Sequence, residues 1–341
     1  MSSIGVLGAG TWGIALARML FRNGHSVTVW SALEKEIISL SATRKHPNLP
    51  AMEIPEGICF TADIGQVCRN QDILLFAVPS PYVRSTARAA APSIRDGQII
   101  VDVAKGIETN TLMTMTQIIA QEVANPTVKL VALSGPTHAE EVAMDLPTTI
   151  VSACEEQETA EQVQNVFWGT CMRVYTNADV LGVELCGAMK NIIALASGVA
   201  AGLGYGDNAK AALITRGMAE ISRLGMAMGC KEQTFGGLAG IGDLIVTATS
   251  MHSRNNRCGM LIGQGVPVAE AVKQVGMVVE GINALPAAMA LIRKYNVEMP
   301  IVEAAYKVVH EGLSPKDTVK LLMSRDKKPE LPPAALDNRY E

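Results

Sequence analysis

The chain has 341 residues, 48% hydrophobic against 18% charged, which suffices for about two cored domains and excludes disorder as the main state. Twenty-nine Lys and Arg against 33 Asp and Glu give a formal charge of -4, without the basic excess that neutralises nucleic-acid phosphates, so no DNA or RNA partner is expected. Seven scattered cysteines, odd in number and without C-x-x-C spacing, read as reduced thiols in a cytoplasmic protein, and no metal site is expected.

In chain order, residues 4–7 already read as a buried strand, where a signal peptide would need a basic start and a long apolar stretch. Gly8-Ala9-Gly10-Thr11-Trp12-Gly13 follows and fits G-x-G-x-x-G. Alone that pattern is weak. Here it links a strand to the helical pattern 14–22, with Gly24-His25 and a second strand, 26–30, beyond, which is the βαβ setting of a dinucleotide site. Gly8 would allow the tight turn, Gly10 the approach of a pyrophosphate and Gly13 close helix–strand packing, with N–H groups at the helix start left for phosphate. After the second strand an acidic residue would bond the ribose 2′-hydroxyl of NAD, but Ser31-Ala32-Leu33 stands there and Glu34 falls in the next helix. The cofactor is thus NADP or NAD with a modest lean to NADPH, whose extra charge Lys35, Arg44 or Lys45 would have to meet.

Further β-branched runs at 72–78, 98–103, 128–133 and 148–152 alternate with helical patterns. Such alternation predicts an α/β Rossmann-type, doubly wound, mainly parallel sheet over residues 1–180. The continuous run Ile73-Leu74-Leu75-Phe76-Ala77-Val78 marks a central strand. Beyond it, 183–203, 209–228, 267–275, 282–295 and 300–311 read as helices, predicting an all-α domain over 181–326 and a charged, Pro-containing tail over 327–341. The most apolar helical stretch, 192–203, is shorter than the ~20 residues a membrane helix needs and meets Lys190 and Asn191 upstream; it reads as a core helix, not a span. Glycine-dense segments at 202–206 and 236–242 suggest close backbone approach.

Hydride transfer to a carbonyl needs a proton donor, and a lysine serves if burial or a neighbouring cation lowers its pKa. Lys190 lies in an apolar helical stretch, and its neighbours leave open whether it is buried or on a solvated stripe. His138 reads as the start of a surface helix, Cys186 as a small buried hydrophobe, and the 17 methionines as core filler.

Several segments together resemble one family: the glycine motif, Phe76-Ala77-Val78-Pro79-Ser80, Ala104-Lys105-Gly106-Ile107-Glu108, Leu133-Ser134-Gly135-Pro136-Thr137-His138-Ala139-Glu140-Glu141-Val142, Lys190-Asn191, Gly236-Gly237-Leu238-Ala239-Gly240-Ile241-Gly242-Asp243-Leu244 and Ser253-Arg254-Asn255-Asn256. In that order, from about residue 4 to residue 326, they are similar to bacterial NAD(P)-dependent glycerol-3-phosphate dehydrogenase. The resemblance implies that Gly8, Gly10, Thr11, Trp12, Gly13, Lys105, Gly135 and Ala139 lie along the nicotinamide cofactor, with Arg254, Val278 and Glu280 closing over it. Lys190 is then the general acid, aided by Lys105 and Asp243, while Gly135, Thr137, Asn191, Thr247, Ser253 and Asn255, with Lys105, Lys190, Asp243 and Arg254, surround the substrate. Arg254 with the Ser253 and Asn255 donors suits a phosphate dianion. Two lysines from different domains would lower each other's pKa and steady an alkoxide. Asp243 and Thr247, four apart and so on one face of a helix, could orient Lys190. The family's usual basic residue after the second strand is missing, which bears on cofactor choice and not on the reaction.

The expected reaction interconverts sn-glycerol 3-phosphate and dihydroxyacetone phosphate, in cells as a reduction that supplies glycerol 3-phosphate for phospholipids. A cytoplasmic homodimer is the family expectation. The rivals are another two-domain reductase, of a hydroxyacid, a ketopantoate-like acid or a sugar nucleotide, and a non-catalytic NADPH-binding redox sensor. The sensor would have no use for Lys105, Lys190, Asp243 and Arg254 together.

Overall fold

A computed structural model describes residues 1–330. The tail expected over 327–341 lies, from residue 331 onward, outside the described residues. Ten strands occur among them: β1 Ser3–Leu7, β2 Ser26–Trp30, β3 Lys45–His46, β4 Leu49–Glu53, β5 Cys59–Thr61, β6 Ile73–Phe76, β7 Ile99–Asp102, β8 Lys129–Ser134, β9 Thr148–Ala153 and β10 Met172–Asn177. Eight form one sheet in the order β10-β9-β8-β7-β6-β1-β2-β5, and β3 and β4 make a separate hairpin. Neighbours run parallel except β8 and β9, so β9 and β10, parallel to each other, oppose the rest.

The chain leaves β1 for β2 and β5 on one flank and then crosses to β6 on the other. The carboxyl ends of β1 and β6 therefore border the crevice at which such sheets bind ligands. Central β6 is buried at every position, as its unbroken apolar run requires. At the edge, β10 alternates, with Arg173 and Tyr175 outward and Met172 and Val174 inward; this strand, absent from the sequence reading, carries too few consecutive apolar residues to stand out. One apolar layer packs Val6, Val131 and Leu20 beneath the sheet, and another packs Leu74, Phe76 and Ile100 above it. Sheet and helices thus share two buried interfaces.

The remaining chain is helical and centres on Val180–Gly202. Among the described residues this is the one helix long and apolar enough to cross a membrane, but 83% of its most apolar window is buried inside the protein. It is the core of the helical half, as its polar Glu184, Lys190 and Asn191 already suggest. Its glycines let the helix Arg254–Gly263 approach backbone to backbone. A Cβ on Gly198 would lie 2.1 Å from the Asn256 carbonyl oxygen, and one on Gly259 2.1 Å from that of Leu195. This contact fixes Ser253, Arg254 and Asn255, at the start of the second helix, against Lys190 and Asn191 of the first.

Because the obstacle at Gly259 is backbone and not a flexible side chain, Gly259→Ala should cost about 1–3 kcal/mol of stability. A melting temperature unchanged from the parent would show that the two helices are not held by this contact.

Candidate functional site: a groove between sheet and helices

The glycine turn behaves as its spacing requires. Gly8 has φ +123°, and a Cβ there would lie 2.7 Å from the Ala77 backbone, so only glycine joins β1 to the helix Thr11–Arg22 at the crevice. A Cβ on Gly13 would sit 2.0 Å from the Gly8 carbonyl oxygen. At Gly10, by contrast, nothing lies within 4 Å of the Cβ position. Gly10 precedes the helix with no side-chain cap, so the first-turn N–H groups face the groove, as a pyrophosphate needs. The groove, about 430 Å³, runs from Gly10, Thr11 and Trp12 past Val78, Pro79 and Ser80 to Lys105 and Lys190. These features fit a dinucleotide.

The opposite wall comes from the helical half, through Arg254, Val278 and Glu280. Glu280 reaches across to the sheet, where Ser80 Oγ donates to its Oε2 at 2.8 Å. Burial raises the Glu280 carboxyl above its ordinary pKa, against the stabilising bonds from Ser80. Arg254 Nη1 leans on the Val278 carbonyl at 3.5 Å. At the far end stand Glu36, His46 and Asn48, with Asn48 Nδ2 donating to Thr11 Oγ1 at 3.2 Å.

At the inner end one buried carboxylate holds two lysines. Lys190 Nζ donates to Asp243 Oδ1 at 2.5 Å and to Thr247 Oγ1 at 2.6 Å. Lys105 Nζ donates to Asp243 Oδ2 at 2.6 Å and to the Gly135 carbonyl at 3.0 Å. Thr247 in turn donates to the Asp243 carbonyl at 2.6 Å, so Asp243 and Thr247 share a helical face toward Lys190. Asp243 is fully buried and opens the helix Asp243–Thr249 directly after the glycine-rich turn Leu238–Gly242, which is kinked at Gly240. Burial, reinforced by the neighbouring Lys105 charge and opposed by Asp243, brings the Lys190 ammonium down to a pKa of about 7.

Lys105 follows β7, and the segment after it is tied to the helical half by Glu184. That carboxylate accepts from Thr114 Oγ1 at 2.7 Å, Thr116 Oγ1 at 2.5 Å and Thr116 N at 2.9 Å. Burial raises its pKa, and burial with the nearby Glu184 raises that of Asp102 at the end of β7. Beside Lys190, Asn255 Nδ2 donates to Asn191 Oδ1 at 2.9 Å and Asn255 Oδ1 accepts from Gly281 N at 2.8 Å. Ser253 caps its helix by accepting from Asn256 N. Thr137 donates to the Gly135 carbonyl at 3.0 Å.

The sequence-predicted residues thus converge. Gly10, Thr11, Trp12, Thr137, Ala139, Lys105 and Lys190 line the groove, as do Asn191, Thr247, Ser253, Arg254, Asn255, Val278 and Glu280. Gly8, Gly13, Gly135 and Asp243 shape it from behind. Sequence reasoning passed over Glu36, His46 and Asn48, which carry no motif of their own, and gave no role to Ser80, although it closes the segment Phe76–Ser80. It also set His138 on a surface helix. His138 does begin the short helix Ala139–Ala143, but its ring lines the groove beside His252, 5.6 Å between ring centroids, and its Nε2 is buried without a partner among the described residues. Burial, then the Lys190 charge, hold it below the usual histidine pKa.

A Rossmann-type sheet whose glycine turn opens on a groove roofed by a helical domain defines a two-domain dinucleotide-binding protein. The family model described as NAD-dependent glycerol-3-phosphate dehydrogenase N-terminus matches residues 3–160, and that of the C-terminus residues 179–320. A glycerol-3-phosphate dehydrogenase [NAD(P)+] from Lactobacillus delbrueckii subsp. bulgaricus is 64% identical over 335 residues, 97% of this chain and 99% of the relative. Among solved structures, glycerol-3-phosphate dehydrogenase from Coxiella burnetii superposes with a TM-score of 0.91 at 36% identity, covering 95% of this chain and 99% of that one. A ketopantoate reductase from Ralstonia eutropha, TM-score 0.61 at 16% identity over 93% of this chain and 99% of that one, shares the fold alone. The chain belongs to the NAD-dependent glycerol-3-phosphate dehydrogenase family.

Since the Gly10 Cβ position is open and its φ is -68°, Gly10→Val should fold with a parental melting temperature yet bind reduced dinucleotide at least ten times more weakly. Equal affinity in a fluorescence titration would mean that the dinucleotide does not cross this turn.

Proposed function

We propose that this chain interconverts sn-glycerol 3-phosphate and dihydroxyacetone phosphate with NAD or NADP. In the cell it works as a cytoplasmic, homodimeric reductase that supplies glycerol 3-phosphate for phospholipid synthesis. Residues 1–180 form its dinucleotide domain and 181–326 its substrate domain. The observation that carries the reading is the Lys190–Asp243–Lys105 bridge at the inner end of the groove. The free cysteines accord with the cytoplasm, and the dimer is carried over as the family expectation.

When bound, the nicotinamide supplies or accepts the hydride. Arg254 and Asn255, at the start of a helix whose N-terminal N–H groups also favour an anion, hold the substrate phosphate. The ketone oxygen then faces Lys190. Its ammonium donates a proton as the oxygen gains charge, and Lys105 steadies that charge from the sheet side. Asp243 keeps both nitrogens aimed at one point and compensates their charge, and Thr247 fixes the Lys190 rotamer. Enclosure between sheet and helices removes water from the reacting atoms and strengthens these interactions. A hydroxyacid reductase would place a carboxylate, not a phosphate, at Arg254, and a sensor would need no proton donor at all.

Loss of absorbance of reduced nicotinamide on adding dihydroxyacetone phosphate tests the reading, and activity with neither cofactor would overturn it. Lys190→Met should lower kcat by about 10²–10⁴-fold while leaving dinucleotide affinity within threefold. With a pKa of about 7, Lys190 is an ammonium below that pH and an amine above it. The rate of ketone reduction should therefore fall as pH rises through 7, and that of glycerol 3-phosphate oxidation should rise over the same range. Parallel pH profiles in the two directions would exclude Lys190 as the proton donor.

A further inference from the structure

The acidic residue that dinucleotide folds place at the end of the second strand is absent in sequence, where Ser31 follows β2. The structure supplies a carboxylate to the same place from farther along the chain. Glu36, in the first turn of the helix Glu34–Thr43, folds back so that Ser31 Oγ donates to its Oε2 at 2.5 Å, and Leu33 N donates to Ser31 Oγ at 3.1 Å. The bond from Ser31 occupies one carboxylate oxygen and leaves Oε1 for a ligand. Glu36 lines the groove at the end that holds Gly10, Thr11 and Trp12. This is the side of the glycine turn toward β2, where the adenosine ribose lies in such folds.

Among the described residues no cation pairs with it there. Arg44 Nη1 donates to the Ile58 carbonyl at 2.8 Å, its guanidinium pairs with Glu56, and it lies over the Phe60 ring. Lys35 and Lys45 are exposed and do not line the groove. His46 lines it, and although the Glu36 charge acts in the opposite direction, burial holds its ring below the usual histidine pKa. The groove's arginines, Arg254 and Arg257, belong to the helical half, on the helix Arg254–Gly263.

Resting on the dehydrogenase reading above, we propose that Glu36 sets the cofactor: its carboxylate, braced by Ser31, accepts from the ribose 2′-hydroxyl of NAD(H) and repels the 2′-phosphate of NADP(H). The lean to NADPH drawn from the sequence reverses, because the carboxylate it found missing from the strand end arrives from the helix.

NADH and NADPH are titrated separately into the whole protein without substrate, by fluorescence of the bound nicotinamide, and kcat/KM with dihydroxyacetone phosphate is measured for each. The expected result is NADH binding at least fivefold tighter than NADPH, with Glu36→Gln narrowing that ratio at least threefold, chiefly by tightening NADPH. A ratio below fivefold in the parent, or one that Glu36→Gln changes by less than threefold, overturns the assignment. If the variant fails to fold, the parent ratio decides alone. Because the titrations need no turnover, a chain inactive on dihydroxyacetone phosphate would count against the reaction, while the binding ratio would still decide the role of Glu36.

Discussion

One buried carboxylate organises this protein. Among the described residues, Asp243 is the sole negative charge bonded to two lysine nitrogens, one carried by the sheet and one by the helical half. Removing it from water is costly unless its lone pairs are filled, and both its oxygens are, at 2.5 and 2.6 Å. The residual cost falls on Lys190, whose ammonium is stabilised too little to keep its usual pKa. A structural ion pair would hold its proton tightly; this one, set between a full desolvation penalty and a second cation, leaves it near the pH at which it can be given and regained.

The rest of the fold serves to hold that arrangement. The β1–β6 crevice sets the dinucleotide groove at the carboxyl edge of the sheet, and the segment after β7 carries Lys105 there. Glu184 anchors the following segment to the helical half through Thr114 and Thr116, so the distance between the two lysines does not depend on Asp243 alone. Within the helical half, glycine contacts bring the Arg254–Gly263 backbone against Val180–Gly202, which sets Ser253, Arg254 and Asn255 at the start of one helix beside Lys190 and Asn191 of the other. A small apolar seam of Ala132, Val151, Val183 and Ala239 closes the junction.

Much of this was legible in the sequence. The glycine motif between two strand patterns is enough to place the groove, because the steric demands at Gly8 and Gly13 are local. Whether Lys190 is buried is not decidable from its own neighbours; the fold buries it and brings it within bonding distance of Asp243 and Thr247, more than fifty positions away. Glu36 was hidden for a related reason. Its distance along the chain from β2 disguises a carboxylate that a helical turn and the Ser31 hydroxyl return to the strand end. His138 has an amphipathic start-of-helix signal that reads as surface, and only the packing of the two halves turns it inward. The antiparallel β8–β9 pairing leaves no mark in a residue pattern that codes burial and not direction, and the edge strand β10 shows only a short alternation without an apolar run.

The central claim concerns where the reacting oxygen sits. A crystal structure of the whole protein with NADH or NADPH and dihydroxyacetone phosphate answers it directly. The account predicts the ketone oxygen within hydrogen-bond reach of Lys190 Nζ, with the phosphate against Arg254 and Asn255. A ketone oxygen turned to His138 or to solvent, with Lys190 still bonded only to Asp243 and Thr247, would contradict it.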